Sequence, residues 1–324
     1  MERFCRRQTT PPPMSTETSQ RTIVLSDLHL GRRGSAAQSH RFARLIATHR
    51  RVIVNGDVAE LHHGEFRSAA EEELARFREL CARSETRLDL VAGNHDPFVS
   101  NIRSLTLCEG SVYLTHGDAF HPAIAPWSPY AAAMESAFRK AMAESAGDRE
   151  SEVARLAAAR EAAVAEWQAL GDGAHISTIA SMAVRPHRAL AAIRYWRRYP
   201  NMARDWASRF APHADTLVVG HSHRPFVTEL DGVRIVNTGA YGFPGRPLAV
   251  VIDGRDVAVH RIEMAERLFR LREQPLARWT TGAVDTAQSQ RAFESFGADA
   301  TERASTRRMN AAASASADRS TDVR

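Results

Sequence analysis

Short runs of β-branched and apolar residues alternate with longer stretches of helical periodicity along the first third of the chain. Two stretches with apolar residues at helical spacing, Ser39–His49 and Ser68–Arg83, separate the first three runs. This strand–helix–strand order predicts βαβ units, so we expect an α/β fold with a mostly parallel sheet. The predicted strands in this part are Thr22–Ser26, Val52–Asn55, Leu88–Ala92 and Val112–Thr115.

The pattern changes after Gly117. Residues 119–213 carry many Ala, Glu, Arg and Leu at helical spacing and almost no strand pattern, which predicts a helical insertion. Strand patterns then resume, and Asp231-Gly232 lies between two of them, where a tight hairpin turn requires such residues. The strands predicted here are Thr216–Val219, Phe226–Leu230, Val233–Asn237 and Leu248–Ile252.

Both ends of the chain are rich in Ser, Thr, Ala, Arg and Pro and poor in large apolar residues. Segments of this kind bury too little apolar surface to offset the entropy of ordering. We therefore predict a disordered tail over residues 1–20 and one domain over residues 21–265, which contains the insertion. Residues 266–324 are predicted to form a C-terminal extension that is largely a disordered tail.

The composition is that of an ordinary globular protein, with 44% hydrophobic and 25% charged residues. The net charge of +5 comes mostly from arginines in the two tails, so the body lacks the broad basic face that long nucleic acid requires. Its three cysteines form no CxxC pair, which argues against a disulfide framework and a thiolate metal site. No apolar run reaches the ~18 residues of a membrane span, and we expect a cytoplasmic protein.

Acidic, amide and imidazole side chains recur where the predicted strands end. Open α/β sheets bind ligands at this position, and five strand ends here carry Asp, Asn or His. One such block alone is usually a turn residue beside a surface histidine, but five in chain order indicate a shared site. The blocks are Asp27-Leu28-His29, Gly56-Asp57, Gly93-Asn94-His95-Asp96, His116-Gly117-Asp118 and Gly220-His221-Ser222-His223.

Carboxylate, imidazole and amide oxygen are ligands suited to borderline divalent ions. The seven candidate ligands exceed one coordination sphere of about four to six, so two ions that share a carboxylate fit better than one. Two such ions lower the pKa of a bridging water, and the resulting hydroxide can attack a phosphoester. We expect Mn at both positions, with Fe and Zn as alternatives, because availability decides among these ions.

The five blocks resemble the motifs of the calcineurin-like metallophosphoesterases, which run D-x-H, G-D, G-N-H-[DE], H and G-H-x-H. The resemblance implies two facing mixed β-sheets flanked by helices, and hydrolysis of a phosphodiester or pyrophosphate bond. It also implies that Asp57 bridges the ions and that His95 protonates the leaving oxygen or stabilises its charge. The implied ligands are Asp27, His29, Asp57 and His223 for one ion, and Asp57, Asn94, His116 and His221 for the other.

In motif wording the chain is most similar to the UDP-2,3-diacylglucosamine diphosphatases, which hydrolyse a lipid-linked pyrophosphate. The shared segments are Ser26–Leu30, Thr115–Asp118 and Gly220–Pro225, with a helical insertion between the last two. That group has G-N-R-D where this chain has Gly93-Asn94-His95-Asp96. The chemistry at the leaving group therefore resembles that of the wider superfamily. The protein Ser/Thr phosphatases match poorly, because Gly56–Leu61 lacks the arginine of their G-D-x-V-D-R-G block.

Two other functions are compatible with the same blocks. Nuclease relatives resemble them too, so a nucleotide or cyclic-nucleotide phosphodiesterase is an alternative. A non-catalytic metal-binding scaffold is the other, although no candidate ligand is missing.

The segment Arg185–Arg209 carries seven arginines against one acid, with aromatic residues between them. In one interpretation it presents cations to an anionic substrate or to an anionic membrane surface, which would place the protein at the inner membrane. In the other, it is a surface helix with core aromatics and solvated arginines. Asn94 and Arg224 are the side chains we predict to contact the substrate phosphate.

Overall fold

The computed structural model describes most of the central part of the chain. The described residues are 21–282 except 34, 36, 63, 146–150, 171–184 and 243–244. All the elements below belong to one unit of the chain, which ends at Thr281. The predicted tail 1–20 and most of the extension 266–324 therefore lie outside the described residues.

Most of the strands and helices form at the residues where the periodicity predicts them. The strands are β1 (Thr22–Leu25), β2 (Arg51–Asn55), β3 (Arg87–Val91), β4 (Ser104–Leu107), β5 (Val112–Thr115), β6 (Thr216–Val219), β7 (Phe226–Leu230), β8 (Val233–Asn237), β9 (Leu248–Asp253), β10 (Asp256–Ala265), β11 (Leu268–Leu271) and β12 (Ala277–Thr280). The helices are α1 (Ala43–Ala47), α2 (Gly64–Arg83), α3 (Ala131–Glu144), α4 (Glu152–Leu170) and α5 (Pro186–Phe210), with 3₁₀ turns at Ser39–Phe42, Cys108–Gly110 and Asp118–Phe120.

The strands form two sheets within the described residues. The first has seven strands in the order β11-β10-β9-β1-β2-β3, with β12 also paired to β10. In it β1, β2 and β3 are parallel, whereas β9 to β12 are antiparallel to their neighbours. The second has five strands in the order β4-β5-β6-β8-β7, with β5, β6 and β8 parallel and the two edge strands antiparallel.

Both sheets are mixed, so the prediction of a mostly parallel sheet is wrong. That prediction followed from the helices between the first strands, which do connect parallel neighbours here. Other neighbours in the sheets are joined by short connections, which lead to antiparallel pairs: β4–β5, β7–β8, β9–β10 and β10–β11. The mixed sheets implied by the resemblance are confirmed.

The two sheets pack face to face across a shared apolar core. Val24 and Ile53 of the first sheet and Leu114 and Val218 of the second belong to one cluster and are fully buried. β-branched and leucine side chains fill this space because residues of one strand face alternate sides, and every second residue points into the core.

A helical layer covers the outer face of each sheet. Phe42 and Phe77, from the segments around α1 and α2, pack on the first sheet. Met134, Tyr199 and Trp206, from α3 and α5, pack on the second. The order of layers is therefore helix, sheet, sheet, helix, which confirms the predicted α/β class with two facing mixed sheets flanked by helices.

The helices α3, α4 and α5 lie within residues 119–213, and the described part of that segment contains no strand. No helix among the described residues is long and apolar enough to cross a bilayer.

The hairpin between β7 and β8 has the predicted turn. Asp231 and Gly232 both have positive φ, at 49° and 80°, while Leu230 and Val233 form the closing pair. Two positive φ values define the turn type whose twist matches that of the flanking strands. Gly232 adopts this conformation without the steric conflict that a Cβ atom would introduce.

The first sheet extends beyond residue 265, where the domain was expected to end. β11 pairs with the second half of β10 through Ile262–Ala265, and β12 pairs with its first half through Asp256–Val259. Few side chains of β11 and β12 are buried, so their sequences show little apolar alternation for a prediction to detect.

We predict that the shared core dominates the stability of the domain. Replacement of the fully buried Leu114 with Ala should lower the free energy of unfolding by about 2–5 kcal/mol, because it leaves a cavity between the sheets. The matched change Leu276→Ala, at a side chain that is 45% exposed, should alter it by less than about 0.5 kcal/mol. Urea unfolding of both variants measures the difference, and equal losses would contradict a shared core.

Candidate metal centre

The predicted ligands gather where the two sheets meet. In each sheet the ligand-bearing strands run parallel, so their carboxyl ends lie along one edge, and the facing sheets bring the two edges together. The first sheet supplies ligands after β1, β2 and β3, and the second supplies them after β5 and β6. They are Asp27, His29, Asp57 and Asn94 from the first sheet, and His116, His221 and His223 from the second.

Five of these residues have a left-handed backbone. The φ angles are 51° at Asp27, 48° at His29, 51° at Asp57, 63° at His221 and 57° at His223. Residues with a Cβ atom rarely adopt this conformation, which costs roughly 1–2 kcal/mol per residue. Strain that is concentrated at one set of polar residues indicates a functional arrangement, since stability alone would disfavour it.

The first predicted ligand set forms a tight cluster. Asp27, His29, Asp57 and His223 each offer one ligand atom, and these atoms all lie within 4.8 Å of one another. Nε2 of His29 is 3.0 Å from Nε2 of His223, which in turn is 3.3 Å from Oδ1 of Asp27. Two ring nitrogens at this distance, beside two carboxylates, form a donor set that a divalent cation can occupy.

The second set shares Asp57 with the first. Ligand atoms of Asp57, His116 and His221 also lie within 4.8 Å of one another. Asn94 belongs to the same group, because its Oδ1 is 2.9 Å from Nδ1 of His221. Nδ1 of His116 donates a hydrogen bond to the backbone oxygen of Asn55 at 2.9 Å, which directs Nε2 of that ring to Asp57.

Two atoms at the centre of the cluster test whether a metal fits. Oδ2 of Asp57 and Nε2 of His116 are buried and form an ion pair at 3.2 Å. Apart from each other, neither atom has a hydrogen-bond partner among the described residues. A cation between the two would bind both atoms in place of the proton that they share. The side chains present therefore fit a divalent metal.

The carboxylates are ionised in the protein without a cation. Burial alone would raise the pKa of Asp57, but the neighbouring charges of His116 and His95 hold it well below its ordinary value. Burial likewise opposes ionisation of Asp27, but a hydrogen bond from His223 and the charges of His116 and His223 together outweigh it, so that pKa is also lowered. Ionised carboxylates are the form that binds a metal.

The histidines differ in protonation. Burial disfavours the charged form of His116 and His95, but Asp57 beside the first and Glu60 beside the second raise each pKa to about 10. Burial and the charge of His116 instead lower the pKa of His221 to about 4. A cation and a proton compete for the same nitrogen of His116, so metal binding there must release a proton.

Glu60 is a member of the site that the sequence analysis missed. Its carboxylate accepts from Nδ1 of His95 at 2.8 Å and lies 3.0 Å from Nδ1 of His29 and 3.3 Å from Nδ1 of His62. The side chain is only 3% exposed. By holding Nδ1 of His29 and His95, Glu60 leaves Nε2 of each ring for a metal or a substrate. The available signal was its position three residues after Asp57.

Asp96 organises the loops that carry the ligands. Its buried carboxylate accepts from the backbone N–H groups of Val58 (2.6 Å), Gly93 (2.8 Å), Ala59 (3.2 Å) and Asp57 (3.3 Å). Burial and the nearby charge of Asp57 raise its pKa to about 7. Asp96 thus ties the loop after β2 to the loop after β3 and fixes Asp57 between them.

The helices after β5 hold the last ligand loop from its outer side. Trp196 Nε1 donates to the backbone oxygen of Ser222 at 3.1 Å, and the hydroxyl of Tyr199 donates to that of Gly220 at 2.9 Å. The rings of Tyr195 and Trp127 lie 6.1 and 6.4 Å from the ring of His221. These contacts support the loop that carries His221 and His223.

Helix α5 has the buried aromatic residues that the surface-helix interpretation of Arg185–Arg209 expects, and the interpretation as a cation-presenting cap stays a prediction. Tyr195, Tyr199 and Trp206 are buried in the core, as the surface-helix interpretation expects. Arg194, Arg197 and Arg198 are exposed and carry no ion pair with any described residue. Arg224, predicted to contact substrate, is also exposed. Its role stays a prediction, as do the individual ligand roles.

Comparison with known proteins finds similarity of structure only. No family model and no curated protein sequence matches the chain. Vacuolar protein sorting 29 from Cryptosporidium parvum has 13% identity over 81% of this chain and 98% of its own, with a TM-score of 0.40. The YfcE phosphoesterase from E. coli has 15% identity over 80% and 98%, and a TM-score of 0.38. A dimetal phosphatase from Danio rerio has 11% identity over 74% and 95%, also at 0.38. At these scores the similarities assign neither an activity nor a partner to this chain.

We predict that Asp96 contributes chiefly to stability. Asp96→Ala leaves the buried N–H groups of Val58 and Gly93 without an acceptor, and each should cost about 1–3 kcal/mol of the free energy of unfolding. Asp96→Asn retains one acceptor oxygen and should cost less. Asp253→Ala, which removes an exposed pairing with Arg21, should cost less than about 1 kcal/mol. Urea unfolding of the metal-free variants gives the ranking, and an Asp96→Ala loss no larger than that of Asp253→Ala would contradict this role.

Proposed function

We propose that this protein is a two-metal-dependent phosphoesterase that hydrolyses a phosphodiester or pyrophosphate bond. The observation that carries the proposal is the pair of ligand clusters that share Asp57. One carboxylate common to two sets of imidazole and carboxylate donors is the arrangement that a pair of divalent ions requires. Hydrolysis of a phosphoester is the reaction such a pair suits best, because two divalent ions would neutralise the negative charge of the phosphoryl oxygens.

The assignment of ligands follows the two clusters. Divalent ions held there would supply Lewis acidity toward a phosphoryl group and a lowered pKa for water. We propose Mn, with Fe and Zn as alternatives, because carboxylate and imidazole donors suit all three. The proposed ligands of one ion are Asp27, His29, Asp57 and His223, and those of the other are Asp57, Asn94, His116 and His221.

We propose that His95 acts on the leaving group. Its Nδ1 is engaged by Glu60, and its backbone N–H donates to Oδ1 of Asp57 at 2.9 Å, so the ring stands beside the cluster. Its side chain is 24% exposed, unlike the rings of His29 and His116. With its pKa raised to about 10, the ring is protonated at neutral pH. It can therefore donate a proton from Nε2 to a departing oxygen.

The finer substrate proposal is a lipid-linked pyrophosphate of the UDP-diacylglucosamine type. The exposed arginines of α5 support it, since Arg194, Arg197 and Arg198 offer cations to an anionic substrate or to an anionic membrane surface. Peripheral contact with such a surface belongs to the same proposal. A nucleotide phosphodiesterase is the alternative, and the non-catalytic scaffold is what a lack of turnover would indicate.

We predict metal-dependent turnover. Metal-stripped protein should hydrolyse neither bis-p-nitrophenyl phosphate nor UDP-diacylglucosamine, and added Mn should restore hydrolysis, with metal analysis giving two ions per chain. Turnover of the lipid far above that of the generic diester would support the lipid substrate, and turnover of the diester alone would exclude it. Two bound ions without any turnover would overturn the proposed activity in favour of a scaffold.

We also predict that the metal-binding and proton-donating roles can be separated. Asp57→Asn should abolish turnover and reduce the metal content, because it removes the shared carboxylate. His95→Ala should lower kcat by about a hundredfold to ten-thousandfold while both ions stay bound, since a general acid contributes that much. Kinetics and metal analysis of the same samples make the comparison. Loss of metal in the His95 variant would contradict its assigned role.

A further inference from the structure

A continuous set of aromatic rings leads from the candidate metal centre to the protein surface. The ring of His95 lies 4.2 Å from that of His62, edge to face. His62 in turn stacks near Trp167, at 6.0 Å and an interplanar angle of 30°. Trp167 lies 5.8 Å from Phe98, again edge to face. Three of these residues come from the ligand loops, whereas Trp167 comes from α4.

Phe98 ends this set of rings and is unusually exposed. Its side chain is 62% exposed, although it lies only three residues after His95 and two after the buried Asp96. An exposed phenyl ring contributes little to folding, because burial of apolar surface is the main source of stabilisation. Beside a candidate active site, an exposed ring is available to stack against a planar group of a ligand.

Helix α4 supplies two nitrogen donors at the same place. The guanidinium of Arg160 lies 5.6 Å from the centre of the Phe98 ring, in a cation–π arrangement that holds that ring. Nε1 of Trp167 is buried and has no hydrogen-bond partner among the described residues. A buried N–H without an acceptor is unfavourable, and a carbonyl oxygen that enters beside Trp167 would satisfy it. A flat ring that carries carbonyl oxygens meets both requirements.

The same helix also reaches the metal centre. Glu166 precedes Trp167 in α4, and its pKa is raised by burial and lowered in part by the charge of His95, with the net shift upward. Its Oε1 accepts from the hydroxyl of Ser128 at 2.9 Å, which ties this turn of α4 to the segment before α3. Helix α4 therefore interacts with His95 through the charge of Glu166 and with Phe98 through the ring of Trp167.

We propose that Phe98 and Trp167 form a subsite for a nucleobase, so that the substrate is a phosphoester or pyrophosphate of a nucleoside. This inference rests on the proposed function, because it names the substrate class of the same site. The base would stack on the exposed face of Phe98, with a carbonyl oxygen beside Nε1 of Trp167. Its phosphate would then extend past His62 toward His95 and the metal ligands.

The test compares two ligands that differ only by the base. Thymidine 5′-monophosphate and 2-deoxyribose 5-phosphate are titrated into the Mn-loaded protein by calorimetry. The nucleotide should bind about tenfold more tightly, because stacking of one base on an aromatic side chain contributes roughly that factor. Phe98→Leu should remove this advantage, and Phe98→Tyr, which keeps the ring, should retain it. Because Phe98 is exposed, neither substitution should disturb folding.

Val153→Ala is the matched control, because Val153 is a 76% exposed apolar residue on the same helix as Trp167 and should change neither affinity. Equal affinities for the two ligands in the wild type would overturn the subsite. An unchanged ratio of the two affinities in Phe98→Leu would also overturn the subsite. Leucine keeps an apolar contact but offers no aromatic ring on which a base can stack. Selective binding of the nucleotide without hydrolysis of any diester or pyrophosphate would leave the subsite standing and overturn only the proposed function.

Discussion

A buried carboxylate that forms an ion pair across the two sheets is the constraint around which this site is arranged. Asp57 lies two residues after the end of β2 in the first sheet, and its Oδ2 faces Nε2 of His116 from the second sheet. Charge buried in a protein interior must be paired or must bind a cation. The imidazoles that surround Asp57 meet this requirement in the free protein, and the same geometry prepares them for metal.

This arrangement strains the backbone of the ligand-bearing loops, and buried hydrogen bonds hold these loops in place. Asp27, Asp57 and His221 have left-handed φ angles, which stability alone would not select. Asp96 binds four backbone N–H groups across two loops, and the backbone N–H of His221 donates to the carboxylate of Asp27. The site is therefore preorganised by its own polar groups, whether or not ions are bound.

Much of this could be predicted from the sequence, because strand ends and polar motifs coincide. Strands such as Val112–Thr115 and Thr216–Val219 were predicted at the observed residues, and the residues that follow them meet as expected. The direction of strand pairing could not be read in the same way, since periodicity gives the face of a residue but not its neighbouring strand. Glu60 was missed for a related reason. Its importance comes from three histidines that only the folded chain brings around it.

The division of the ligands between two sheets has a consequence for how the protein is made. On the ribosome, the chain emerges from its amino terminus, so Asp27 and Asp57 leave the tunnel long before His221 and His223. Until the strand before those histidines has joined the second sheet, neither donor set is complete. If ions bind to these two donor sets, metal loading is a late event of synthesis, completed only after the helices of residues 119–213 have been translated. A nascent chain truncated before β6 would carry Asp27 without His223, the imidazole that donates a hydrogen bond to its carboxylate.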